Sequence, residues 1–388
     1  MYARTRRLAA LAATAAAAAI ALSSCSAASD GGSGGSGSES DGAPGTGGSA
    51  VGFIMVGPKD DYGYNQAVYD GSEVIADKFP DLKVITAENV PENDNAARTM
   101  EQMIDKGAKI IFATSYGHLD AAVQVAKDHP DVVVIQQGNT ITGPIADNMG
   151  TYFGTVYEPM YLAGIAAGKS TKSGKLGYVY AFPIPQTIAN INAFERGAQS
   201  VNPDAETITV STSSWCDPAK QRTAADSLLS QGVDVITQHQ DCTKTVIETA
   251  EARGAMTVGY HADASSLAPT GWITGAVWDW GPLYTDIVQT ILDGDFVGSE
   301  YNANYRVGYK TGDNPFVLAP YGPSVDAATK ADIATAQAFL ATDQGSPFVG
   351  PVLKQDGSVA VPAGQVPTYA EVDAMNYFVQ GVVGKLAG

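Results

Sequence analysis

Between residues 51 and 277 the chain alternates short runs of β-formers with longer stretches of helical period, and it does so in two series. The first series predicts strands at 51–56, 82–86, 109–114 and 131–136, with helices at 65–79, 93–106 and 118–128 between them. A helix over 157–169 follows, and then the pattern restarts. The second series predicts strands at 175–182, 207–212, 234–239, 255–260 and 272–277, separated over most of its length by helices at 187–200, 218–231 and 243–253. The strand segments are near-continuous Val/Ile runs, the pattern of parallel strands covered on both faces. Strand–helix–strand alternation demands right-handed crossovers, so each series predicts a doubly wound parallel sheet. Two series of similar length predict two α/β lobes. A ligand site is expected where the carboxyl ends of the strands face one cleft.

Composition fits that reading. The chain has 388 residues, 45% hydrophobic and 16% charged, which is ample for two lobes with large cores. The formal net charge is −18, and the only charges before residue 25 are Arg4, Arg6 and Arg7. The remaining surface is therefore more acidic still, which argues against direct binding to nucleic acid or anionic membrane. It leaves a neutral small ligand open.

The first residues set the expected address. "MYARTRR" is a basic start and "LAALAATAAAAAIAL" (8–22) an apolar run too short and too alanine-rich for a membrane span, so 1–24 reads as an export signal. "TRRLAAL" faintly resembles a twin-arginine signal, and the export route stays open. "LSSC" (22–25) resembles the lipobox of bacterial lipoproteins, in which Cys25 would become the lipidated N-terminus. Residues 25–50, rich in Gly and Ser and poor in large apolar residues, read as a disordered tether. Within it "GGSGG" fits G-x-S-x-G and "GSGGSG" fits G-x-G-x-x-G, but neither joins a strand to a helix, so both are artefacts of composition. Two cysteines remain, Cys216 and Cys242. In an oxidising compartment they suggest one disulfide, with two buried thiols as the alternative.

The tail, 300–388, is less regular. It predicts a helix at 326–342, a hairpin at 350–361 turning at Asp356-Gly357, and an amphipathic helix at 368–386.

The stretches "GPKDDYGYNQAVYDG" (57–71), "ATSYGHLD" (113–120), "MGTYFGTVYEPMYLAGIAAGK" (149–169), "INAFERGAQSVNPDA" (191–205), "SSWCDPAK" (213–220), "QGVDVITQHQD" (231–241) and "VWDWGPLY" (277–284) occur in an order similar to that of the basic membrane protein family, substrate-binding lipoproteins of ABC importers. The resemblance covers nearly all of 51–388. It implies the type I periplasmic-binding-protein fold, two doubly wound lobes joined by a hinge the chain crosses several times. The lobes would be 51–172 plus 279–300, and 173–278 plus 301–388 with the C-terminal extension. It also implies a monomer, lipid-anchored to the outer face of the cytoplasmic membrane, that hands a ligand to an ABC permease. Family members often bind purine nucleosides or nucleobases.

Candidate ligand-binding residues lie just past predicted strand ends: Asp61, Tyr64, Tyr116 and Asn139 in the first lobe, and Phe182, Trp215, Asp241, Asp263 and Trp278 in the second. A tryptophan in the polar loop "STSSWCDP" has the flat face that stacking on a purine needs. Carboxylates can grip an N–H or a ribose hydroxyl pair, though each also reads as a helix cap, and Asn139 also reads as a turn residue. Trp272 is expected to pack away from the cleft, and Trp280 to pack the crossing after Trp278. A disulfide between the loops of Cys216 and Cys242 would pin Trp215.

The nucleoside receptors of this family carry Asp-x-Asp and a lysine where this chain has "YHADAS" and Trp278. His261 thus replaces the first acid, which favours a free base such as adenine over a nucleoside. No metalloprotease motif, phosphate loop or nucleophile elbow is present, and His118, His129, His239 and His261 lack metal-ligand spacing. No enzyme activity, cofactor or metal is expected. A sugar binder of the same fold and a receptor or adhesin uncoupled from transport remain as alternatives.

Overall fold

The computed structural model describes residues 42–312 and 314–386. The export signal, Cys25 and most of the tether lie outside the described residues. The described chain opens with β1 (Ala50–Ile54), α1 (Tyr64–Lys78), β2 (Lys83–Ala87), α2 (Asp94–Ile104), β3 (Ala108–Ala113), α3 (Leu119–Asp128), β4 (Val133–Gln137), β5 (Met149–Gly154) and α4 (Tyr157–Ser170). The second series is β6 (Lys175–Tyr180), α5 (Pro185–Val201), β7 (Glu206–Ser211), α6 (Pro218–Ser230), β8 (Val235–His239), α7 (Lys244–Ala252), β9 (Met256–His261), β10 (Trp272–Trp278) and α8 (Gly281–Leu292). The tail supplies β11 (Asn304–Val307), β12 (Phe316–Leu318), α9 (Ala327–Leu340), β13 (Val352–Leu353), β14 (Val359–Val361), α10 (Tyr369–Val372) and β15 (Val382–Val383).

The first sheet runs β11-β5-β4-β3-β1-β2 and is parallel throughout. The second runs β12-β10-β9-β8-β6-β7-β15, parallel except for the antiparallel edge strand β12. Central strands β1, β4 and β8 are buried along their whole length, as their apolar runs require. Strand order reverses between β1 and β3 in one sheet and between β6 and β8 in the other, which places two switch-point crevices at the carboxyl ends.

Two lobe boundaries move. β11 was expected in the second lobe with 301–388, but it pairs with β5 at the edge of the first sheet. α4 was expected with the first lobe, but it lies against α5 of the second. A β-carbon at Gly164 would stand 2.1 Å from the Phe194 carbonyl oxygen, and one at Gly197 would stand 2.0 Å from that of Tyr161. Glycine lets the two helix backbones touch, and such a contact leaves no mark in an apolar pattern. The chain therefore crosses between lobes after β5, after β10 and after β11.

Two other expectations are corrected. Residues 42–49, assigned to the tether, pack on the first lobe: the Gly45 N–H donates to Asp131 O at 2.9 Å and the Ser49 N–H to Gly107 O at 3.1 Å. These contacts are backbone bonds, so composition does not register them. The C-terminal helix expected at 368–386 shrinks to α10, opened by a Thr368–Glu371 capping box. Asn192 diverts the chain beyond it, donating to Tyr377 O at 2.8 Å and accepting from the Val379 N–H at 3.0 Å. The chain then joins the second sheet as β15. The hairpin at 350–361 forms as expected, β13 against β14.

Candidate functional site

The carboxyl ends of the two sheets face one another across a cleft. Val56, Tyr64, Ser115, Tyr116 and Phe153 line it from the first lobe, and Ile184, Gln186, Trp215, His239, Asp241 and His261 from the second. The lobes touch at its rim. The Thr243 hydroxyl donates to Tyr62 O, and the Gln186 side chain donates to Gly138 O. A β-carbon at Gly63 would stand 2.0 Å from the Asp241 carbonyl oxygen.

Four sequence candidates meet in this lining: Tyr64, Tyr116, Trp215 and Asp241. Trp215 is half-buried in the loop after β7, with Phe182 edge-on at 5.2 Å and the His239 ring at 5.9 Å. Phe182 thus buttresses the tryptophan and is not itself part of the lining. Cys216 and Cys242 are disulfide-bonded with α-carbons 5.0 Å apart. β6 does lie between β7 and β8, yet the two loops curve together, and the Asp241 N–H donates to Trp215 O at 2.9 Å.

Asp61 is spent on its own helix. Its carboxylate accepts from the backbone N–H groups of Gly63, Asn65 and Gln66 and from the Asn65 side chain, at 2.8–3.1 Å. Asn139 forms a turn, accepting from the Thr140 N–H at 2.7 Å and donating to Tyr116 O at 3.2 Å. Asp263 is exposed and bonds the Ser265 N–H at 2.9 Å. Trp278 lies one layer behind the lining, between Trp280 at 4.2 Å and Phe316 at 4.1 Å.

Sequence motifs miss His239, which is searched for metal spacing only, and His261 is read there as the replacement of an acid without being placed among the candidate ligand residues. Position finds them: they are the last residues of β8 and β9, the rule that finds Asp241. Burial pushes His239 down to about 3. Burial, and then the neighbouring His239, holds His261 well below its usual value. Both rings are neutral at physiological pH. Burial pushes Asp241 well above the carboxylate range, with the charges of Asp61 and Glu92 adding to it, against a bond from Asn65. The site is thus aromatic and equipped with hydrogen-bonding edges, with two neutral imidazoles among them. It suits a neutral flat ligand better than an ion. Among the described residues no group of three His, Cys, Asp or Glu could hold a metal ion, and no helix is long and apolar enough to cross a membrane.

A family model described as "ABC transporter substrate-binding protein PnrA-like" matches residues 49–312. A purine-binding protein of Brucella abortus (strain 2308) is 37% identical over 340 residues, covering 87% of this chain and 93% of that protein. A Haloferax volcanii protein carrying a provisional name as an ABC transporter glucose-binding protein is 29% identical, over 86% of this chain and 80% of its own length. Among solved structures, an ABC transporter solute-binding protein from Conexibacter woesei superposes with a TM-score of 0.61 at 21% identity, over 75% of this chain and 96% of that one.

Proposed function

The chain belongs to the PnrA-like family of ABC transporter substrate-binding proteins, and we propose that it captures a purine in the interlobe cleft, a free base such as adenine in preference to a nucleoside. The observation that carries this reading is the lining itself: Trp215, Tyr64 and Tyr116 supply aromatic surface, and Asp241, His239 and His261 supply hydrogen-bonding edges. A purine base is flat, neutral and rimmed by donors and acceptors. The neutral His261 at the first acidic position of the nucleoside receptors, and the indole of Trp278 at their lysine position, take away ionic partners for a ribose. The relative named as a purine-binding protein supports the ligand class.

The rest of the reading follows from this role. The protein hands its ligand to an ABC permease and catalyses no reaction. It works as a monomer outside the cytoplasmic membrane, held by lipid on Cys25. Binding is tested by thermal unfolding with each purine base and nucleoside. Adenine at a hundred times its Kd should add about 2.7 kcal/mol of stability. No stabilisation by any purine at millimolar concentration would sink the reading. A sugar is the second reading, favoured by the Haloferax volcanii relative's name. Stabilisation by glucose and not by adenine would select it.

A further inference from the structure

The indole Nε1 of Trp278 stands 2.9 Å from Nδ1 of His261. An indole N–H only donates, so Nδ1 accepts and carries no proton. A neutral imidazole has one proton, which must then sit on Nε2. Among the described residues no acceptor takes that proton, while His261 lines the cleft.

The ring is held from several sides. Its backbone has φ 71 at the end of β9, a left-handed conformation that histidine adopts more readily than most residues and that clusters at ligand sites. The Tyr260 ring lies 3.9 Å away between centroids, and Tyr64 meets it edge-on at 5.1 Å. Trp278 is in turn clamped by Trp280 and Phe316. The donor is thus fixed in tautomer and in direction before any ligand arrives.

We propose that His261 determines specificity: Trp278 locks its proton on Nε2, which is presented to an unprotonated ring nitrogen or a carbonyl oxygen of the ligand and rejects ligands bearing hydrogen there. This rests on the purine reading for its probe but not for its geometry. Removing the ligand's acceptor would leave the Nε2 proton buried without a partner, a loss of about 10–100-fold in affinity.

The test uses the full chain and two readouts. Imidazole nitrogen NMR of the free protein should show Nε2 protonated and Nδ1 unprotonated at His261. Titration calorimetry should then compare adenine with its 1-, 3- and 7-deaza analogues, each of which replaces one ring nitrogen by C–H. One analogue should lose about 10–100-fold against the native protein. That penalty should vanish in His261→Ala and persist in His261→Gln, whose amide N–H stands near the Nε2 position. Trp278→Phe, which keeps a ring but removes the N–H, should weaken adenine about 2–10-fold and admit the second tautomer. A proton on Nδ1, three analogues that bind like adenine, or a penalty unchanged in His261→Ala would each overturn the proposal. If adenine fails to bind at all, the purine reading falls, and the nitrogen spectrum of the free protein decides the tautomer alone.

Discussion

Glu195 on α5 is fully buried, accepting one bond from the Thr207 hydroxyl at 2.6 Å. Burial pushes it up to about 8. The folded protein therefore holds a proton that the unfolded chain releases near the ordinary glutamate value. This contribution to stability is fully present below that value and is lost as pH rises toward about 8. Glu195→Gln should remove the slope. Denaturant unfolding should show native stability falling relative to the variant by about 1.4 kcal/mol per pH unit inside that window and level above it. The tryptophans divide by role at the same scale. Trp215→Ala should weaken ligand about 10–100-fold in calorimetry, the scale of base–aromatic stacking. Trp272 is fully buried against Gly259 and Gly275, so Trp272→Ala should cost about 3–5 kcal/mol in unfolding and leave affinity of the folded protein unchanged. Much of the site was legible by one rule, the position just past a strand end, which finds Tyr64, Tyr116, Trp215 and Asp241. The rule cannot tell whether a side chain is already spent: Asp61 serves its own helix N-terminus, as a short carboxylate there readily does. It also misses residues that do not look like ligand groups, such as Phe153 and Ile184, which shape the cleft only through packing.

Elements decide whether the cleft closes. The loop before α1 meets the loop before α7, with Gly63 against the Asp241 carbonyl and Thr243 bonded to Tyr62 O. Gly63→Ala should therefore hold the lobes apart. Small-angle scattering with saturating ligand should show the variant more expanded than the native protein, and its affinity should fall. An unchanged closed form would contradict the latch. Replacing Cys216 and Cys242 by serine should cost roughly 3 kcal/mol in unfolding and loosen the Trp215 loop. Most of the alternating elements from 51 to 277 were legible because each carries its own pattern of buried residues; β5 was not, since its glycines and Thr151 interrupt the apolar run. β11, β12 and β15 were not, since edge strands of two to four residues carry too little period. The predicted C-terminal helix failed for a different reason. Its amphipathic pattern is real, but Asn192 and the left-handed glycines Gly381 and Gly384 redirect the backbone.

At the scale of the molecule, two switch-point crevices face one another across three chain crossings, and an aromatic cleft lies between them. The fold follows from periodicity. The ligand does not, because a few side chains at strand ends determine it while the lobes stay the same. The most direct test is titration calorimetry of the full chain with adenine, adenosine and glucose at neutral pH. The account predicts one adenine per chain, adenosine at least about tenfold weaker, and no glucose binding. Adenosine binding more tightly than adenine, or glucose binding where neither purine does, would contradict it.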